Sequence, residues 1–193
     1  MNKLKILSIG VYVALCMCFA SCGDGVCDEQ EVDLGLPSGT IWAGWNVGAS
    51  SPEEDGGYYG WGETEENFNS KINLNISNIS GTQYDVARQK WGGSWRMPTI
   101  DEIIELVLEC TWTWSQYKGV NGYKVTGPNG NNIFLPAAGE RYGIKGCYGN
   151  YWSATLYEGL GGRCAKGLNF NNNGSYGSTE FLRGRLFSVR PVK

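Results

Sequence analysis

The chemistry open to this chain is defined first by a side chain it lacks. Its 193 residues include no histidine. Ser-His-Asp and Cys-His nucleophilic centres are therefore excluded, as are the common His-bearing zinc sites. The side chain that most often serves as general acid–base near neutral pH is missing too. Seven cysteines remain as nucleophiles or cross-linkers. Glu63, Glu65 and Glu66 form a carboxylate cluster of the kind used in acid–base catalysis. Their polar, Asn/Ser-rich setting over residues 63–82 marks a solvated surface excursion instead. Asp and Glu are sparse after Glu109, so no convergent oxygen set for calcium is expected there. Neither metal, cofactor nor catalysis is expected.

Recognition chemistry is better represented. Within residues 156–186, Leu156, Tyr157, Arg163, Tyr176, Phe181, Arg183 and Arg185 are interspersed with Gly, Ser and Asn. Rigid aromatic anchors among adaptable polar groups are the mixture found in antibody paratopes. These seven residues are the candidate ligand-binding set. The plainer alternative is an ordinary loop-rich end of a domain.

The start of the chain supplies an address. Residues 1–21 combine Lys3 and Lys5 with an apolar run from Ile6 to Ala20, a signal-peptide pattern too short for a comfortable transmembrane helix. Cys22 follows Ala20 and Ser21, which resembles the lipobox of bacterial lipoproteins. There the thiol receives a diacylglycerol and becomes the new N-terminus. Residues 22–31 form a short acidic tether, similar to the surface-export signals of Bacteroidetes lipoproteins. The expected location is the outer membrane or cell surface, with membrane contact through the lipid anchor alone. Outside the cytoplasm, Cys27, Cys110, Cys147 and Cys164 are free to form disulfides. Four cysteines allow three full pairings. Cys147–Cys164 is favoured because both flank one predicted strand region, with buried free thiols as the alternative.

The remaining residues, 32–193, suit one domain. The formal net charge is −3, and with Lys3 and Lys5 set aside 14 basic residues face 19 acidic ones. An acidic domain without a basic stripe is a poor candidate for binding nucleic acid, and none is expected as a partner. Residues 32–47 predict a hairpin turning at Pro37-Ser38-Gly39, and residues 56–62 a short strand. A short helix is expected over 83–91 and a clearer one over 99–109, where Thr99 and Glu102 make a capping box. A second hairpin turns at Pro128-Asn129-Gly130 within 122–136. Further strands are expected near 150–155, 165–170 and 185–192. Trp112 and Trp114 are assigned one to the core and one to the surface. Arg96 and Arg190 are expected in structural ion pairs, and Trp152 and Phe187 in the core. Two short helices among many short strands indicate an α+β fold.

Strings of residues then carry a family. DLGLPSGTIWA (33–43), NVGA (46–49), WGGSWRMPT (91–99), CTWTW (110–114), NGYKVTGPNGNNIFLPAAG (121–139), YWSAT (151–155) and SVRPV (188–192) resemble the Fibrobacter succinogenes major paralogous domain. That domain is abundant in Bacteroidetes lipoproteins. Trp45 departs from many members, which carry cysteine there. The resemblance implies a C-type lectin-like fold with paired N- and C-terminal strands and long loops on one face. It implies binding of an external glycan or protein rather than catalysis. The Glu/Gln-Pro-Asn/Asp and Trp-Asn-Asp triplets of calcium-dependent lectins are absent. The paired reactive cysteines of formylglycine-generating oxidases are absent too, since Cys164 stands alone in GGRCAKG. Related domains are targets of diversity-generating retroelements, which mutate adenines of Asn-type codons. Leu156, Tyr157, Gly159–Cys164 and Leu182–Leu186 are reachable by that route; Glu158, Lys166 and Glu180 are not. The alternative function is a structural or tip subunit of a pilus-like surface assembly.

Overall fold

The computed structural model describes residues 30–66, 76–174 and 176–193. The signal segment, Cys22, Cys27 and most of the tether lie outside the described residues. So does part of the 63–82 excursion.

Helix positions follow local chemistry. Helix α1 (Val86–Trp91) begins where Asp85 accepts from the Arg88 N–H at 3.0 Å, and it stops at Gly92, whose φ of 69° suits glycine. Helix α2 (Ile100–Glu109) carries the expected capping box. The Thr99 hydroxyl accepts from the Glu102 N–H at 3.3 Å, and Glu102 accepts from the Thr99 N–H at 2.8 Å. Ile100, Ile103 and Leu106 recur at helical spacing and are buried.

Eight short strands make three antiparallel sheets among the described residues. Strands β1 (Glu31–Asp33) and β2 (Ile41–Ala43) are the expected first hairpin. Strands β3 (Thr111–Tyr117), β4 (Val120–Thr126) and β5 (Asn132–Pro136) form a meander, with the 128–130 turn between β4 and β5. Strands β6 (Tyr148–Tyr157), β7 (Cys164–Asn171) and β8 (Tyr176–Leu182) form another. The fold is α+β.

The C-terminal residues close on β2. Ile41 and Lys193 exchange two backbone hydrogen bonds of 3.0 Å, and the Ala43 N–H donates to Pro191 at 2.9 Å. Val192 pairs with Arg96 on its other side. The strand expected over 185–192 is thus a series of single bridges, to Tyr59, Tyr151, Trp42 and Arg96. Residues 56–62 likewise contribute only the Tyr59–Phe187 bridge, not a full strand.

Strands β6 and β7 are buried on both faces, whereas β8 alternates between exposed and half-buried positions. One face meets α2 and the β3–β5 meander through Tyr151, Leu168 and Phe170. The other meets Tyr59, Trp61, Met97, Phe187 and Val189 through Trp152, Ala154 and Ala165. Two cores on one sheet explain why β6 is buried at six consecutive positions, Gly149–Ala154, rather than at alternate ones.

Four expectations need correction. Residues 156–186 are mostly strand, since β7 and β8 run through them. Trp112 and Trp114 lie on the same side, because residues two apart share a strand face; both pack edge-on to Tyr123, at 5.5 and 5.1 Å. Arg190 has no carboxylate partner and is held by neutral oxygens, described below. Cys147 and Cys164 do not pair. The Cys147 carbonyl accepts from Asn172 beyond the end of β7, whereas Cys164 opens β7 opposite Tyr157. The length of β7 separates them, roughly 20 Å or more at about 3.3 Å per residue, and a disulfide needs Cα atoms within about 7 Å. Cys110, Cys147 and Cys164 are free thiols. Burial, then Glu105 and Glu109, push the Cys110 thiol up to about 12.

Candidate functional site

A break in strand register builds the first cleft. Strands β6 and β7 pair regularly from Tyr148↔Asn171 to Trp152↔Gly167, then slip and resume at Leu156↔Ala165. Ser153, Ala154 and Thr155 therefore stand opposite Lys166 alone. The Ser153 hydroxyl spans the gap, donating to the Lys166 carbonyl at 2.7 Å and accepting from the Thr155 N–H at 3.2 Å. A bulge of this kind bends a strand and re-aims its side chains. Here the bent strand finds new partners: Ile79 donates to Ala154, Leu156 to Ser77, and Ala154 to Pro98. The Thr155 hydroxyl then reaches the first turn of α2 and accepts from the Ile100 N–H at 3.0 Å.

The result is a groove of about 410 Å³ between the bulge, the start of α2 and residues 77–78. Tyr157, Glu158, Lys166, Asp101, Thr99 and Ser77 are among its lining residues. Gly159 belongs to the same wall; a Cβ there would meet the Tyr157 ring at 2.4 Å, so only glycine lets the chain turn over the ring. Leu160 follows with φ of 55° and 70% exposure, and Gly161 and Gly162 also have positive φ. The glycines adopt this conformation freely, so the strain of the turn lies at Leu160 alone. Among the described residues, Lys166, Asp101 and Glu158 enter no ion pair, and their side-chain ends no hydrogen bond.

The groove's rear wall is held firmly. Arg96 makes a bidentate pair with Glu102, at 2.8 and 2.6 Å, and Glu102 also accepts from Thr40 at 3.2 Å. Burial opposes ionisation of Glu102, but the Arg96 and Thr99 hydrogen bonds outweigh it and hold the carboxyl below its ordinary value. The expected Arg96 pair is thus present, and it fixes the start of α2.

A second cleft, about 600 Å³, lies between residues 48–58 and the 119–121 and 145–146 turns. Its charges are committed. Asp55 pairs with Lys145 at 2.5 Å and meets the Tyr58 hydroxyl at 3.1 Å. Glu53 pairs with Lys118 at 3.3 Å, and Glu54 accepts from the Ser50 N–H at 2.8 Å. Burial, then Asp55, push the Tyr58 phenol well above its ordinary pKa. Behind this cleft lies Arg190, 1% exposed. Its guanidinium donates to Asn46 at 2.8 Å and to the carbonyls of Ala43, Gly44 and Phe134 at 3.0, 2.6 and 2.8 Å. Asn46 and Ser188 in turn donate to the Asp55 carbonyl, at 2.9 and 3.0 Å. Burial lowers the Arg190 pKa to about 10, which leaves it charged at neutral pH.

The seven candidate ligand-binding residues do not converge on one place. Leu156 and Tyr157 line the groove. Arg163 is exposed beside it, in the turn before β7. Arg183 lies 5.7 Å from the Trp61 ring, and its N–H donates to the Arg163 carbonyl at 3.1 Å. Phe181 packs edge-on against Trp152 and Phe187 in the second core. Tyr176 stacks on Trp112 at 4.9 Å, at the opposite end of β8. Arg185 donates from Nη1 to both carboxylate oxygens of Glu140, at 2.8 and 2.7 Å. Sequence reasoning missed Lys166 and Asp101 as site residues, because only the bulge and the helix start bring them together.

The chain matches no family model, no curated protein and no solved structure. Among the described residues no helix is long and apolar enough to cross a membrane, and no group of His, Cys, Asp and Glu is arranged to hold a metal ion.

Proposed function

We propose that the chain is a surface lipoprotein, anchored through Cys22, whose domain binds an external glycan or protein at the groove beside the β6 bulge. The single observation that carries this reading is a formed groove whose charged groups are left without partners. Lys166 is half-buried without an ion-pair partner, and Asp101 and Glu158 stand exposed at the rim, where they are open to a ligand. The pairing of β2 with the C-terminal residues and the α+β meanders support a C-type lectin-like fold of the Fibrobacter succinogenes major paralogous type. The turn at the groove's lip, with Leu160 and Arg163 exposed, supports a diversified binding surface. In that scheme Glu158 and Lys166 are framework, Gly159 is held by the space that Tyr157 needs, and Leu160–Arg163 vary.

The test is adhesion of cells displaying the full-length chain to mucin-coated and epithelial surfaces. Adhesion is expected for the wild type and lost in Tyr157→Ala and Lys166→Met, with surface levels unchanged. Equal adhesion of both variants would remove the groove from the account. Labelling with a fatty-acid probe, abolished by Cys22→Ser, tests the anchor.

A second reading, an assembly subunit, is favoured by β8. It is the outer strand of its sheet, with Tyr176 and Leu182 exposed. Such an edge accepts a strand from another chain. Copurification of partner subunits, with indifference to the groove variants, distinguishes this reading.

A further inference from the structure

From the chemistry of its lining we infer that the groove takes a neutral, polyhydroxylated ligand, one hexose-sized unit of a saccharide. The inference rests on the reading of the groove as a ligand site. Its volume of about 410 Å³ falls in the range of small-molecule sites, about 300–1,000 Å³. Charge then selects the chemistry. Lys166 offers only donors, and Asp101 and Glu158 offer only acceptors.

An anion would meet two carboxylates in this groove. It would gain little from the start of α2, whose positive end is already complemented by Asp101 and Glu102 and whose Ile100 N–H is taken by Thr155. A cation would meet Lys166. An apolar molecule would strip water from all three charges without replacing it. A hydroxyl is both donor and acceptor, so neighbouring hydroxyls satisfy an ammonium and a carboxylate at once. The half-buried Tyr157 ring adds surface for the C–H face of a sugar ring, and Gly159 leaves room for that ring, since a Cβ there would meet it at 2.4 Å. The second cleft has similar residue types, but its carboxylates are already bound to Lys118, Lys145 and Ser50.

The experiment is ligand-observed saturation-transfer NMR on the full-length chain, held in a detergent without a sugar headgroup. The probes are the methyl glycosides of glucose, galactose, mannose and N-acetylglucosamine, with N-acetylneuraminic acid and dialanine as charged comparators. At least one neutral glycoside is expected to show transfer. Its affinity should fall about tenfold, the worth of one charge-assisted hydrogen bond, in Lys166→Met and in Glu158→Gln. Lys145→Met in the other cleft should leave it unchanged. Tyr157→Phe should retain binding where Tyr157→Ala loses it, which separates ring contact from misfolding. Transfer to dialanine or N-acetylneuraminic acid alone, sensitive to Lys166→Met, overturns the saccharide assignment and leaves the groove a ligand site. Glycoside binding that ignores every groove variant overturns the assignment as well. No transfer to any probe also overturns it, and the adhesion test then decides the broader reading separately.

Discussion

The two clefts contain the same kinds of residue and use them differently. In the cleft at residues 48–58, Glu53, Glu54 and Asp55 are each bound to a neighbour, and Lys118 and Lys145 serve as their partners. In the groove at the β6 bulge, Lys166, Asp101 and Glu158 face a common space without pairing. Volume alone would favour the cleft at residues 48–58. Hydrogen-bond accounting favours the groove, because a charge already satisfied within the fold gains little from a ligand. The wider difference is in what lies behind each. The 48–58 cleft backs onto the Arg190 network, so disturbing it should cost stability. The groove projects its charges from strand and helix ends whose backbone is satisfied independently, so stripping them should cost binding.

The largest test of that contrast is Arg190→Met. It leaves Asn46 and three carbonyls without a buried donor, and a loss of about 3 kcal/mol or more is expected. Urea unfolding measures it; a change under about 1 kcal/mol would show that the network is not what holds the 48–58 cleft.

Next is Glu102→Gln, which loosens the groove's rear wall at an expected cost of about 2 kcal/mol at pH 7. It also carries a pH signature. The folded Glu102 pKa lies below the ordinary 4.5, so its contribution is fully present above that value and is lost as pH falls through the lowered one. The melting temperature of the wild type should decline more steeply with acid below about pH 4.5 than that of Glu102→Gln. Parallel curves would mean that Arg96 contributes nothing through this carboxylate.

Asp55→Ala removes the acceptor shared by Lys145 and Tyr58. A cost of about 1 kcal/mol is expected, with glycoside affinity unaltered. Altered affinity would join the two clefts into one functional unit. Smallest in stability are Lys166→Met and Glu158→Gln, each expected within about 0.5 kcal/mol of wild type by thermal unfolding. Destabilisation of about 1.5 kcal/mol or more by either would make the groove charges structural and dissolve the comparison.

Local chemistry was legible in the sequence. Helix α2 begins at the expected residue because Thr99 and Glu102 cap one another across three positions, and nothing distant is needed. The hairpins at 37–39 and 128–130 follow from turn residues between apolar runs. Strand β8 was not legible. Its Tyr-Gly-Ser-Thr start has the composition of a loop, and pairing with β7 imposes the extended backbone there. The side of Trp114 was legible in principle, since a period of two fixes it relative to Trp112. Of the proposed binding residues, Tyr157 and Leu156 reach the groove, whereas Phe181 and Arg185 are drawn off by the second core and by Glu140. Composition cannot separate an anchor for a ligand from an anchor for the fold.

By itself, the sequence determined what depends on residue type and near spacing: no histidine chemistry, an acidic α+β chain, the capping box and the hairpin turns. The tertiary structure decided which charges are spent. Lys166 lines the groove because a bulge leaves three residues of β6 opposite it, with Glu180 facing it in register on β8. Asp101 joins it because Thr155 anchors the start of α2 to the bulged strand. Arg190 is buried without a carboxylate because segments distant in sequence, at 43–46 and 134, bring their oxygens to it. Pairing across such separations depends on strand register and packing, which no local window of residues encodes.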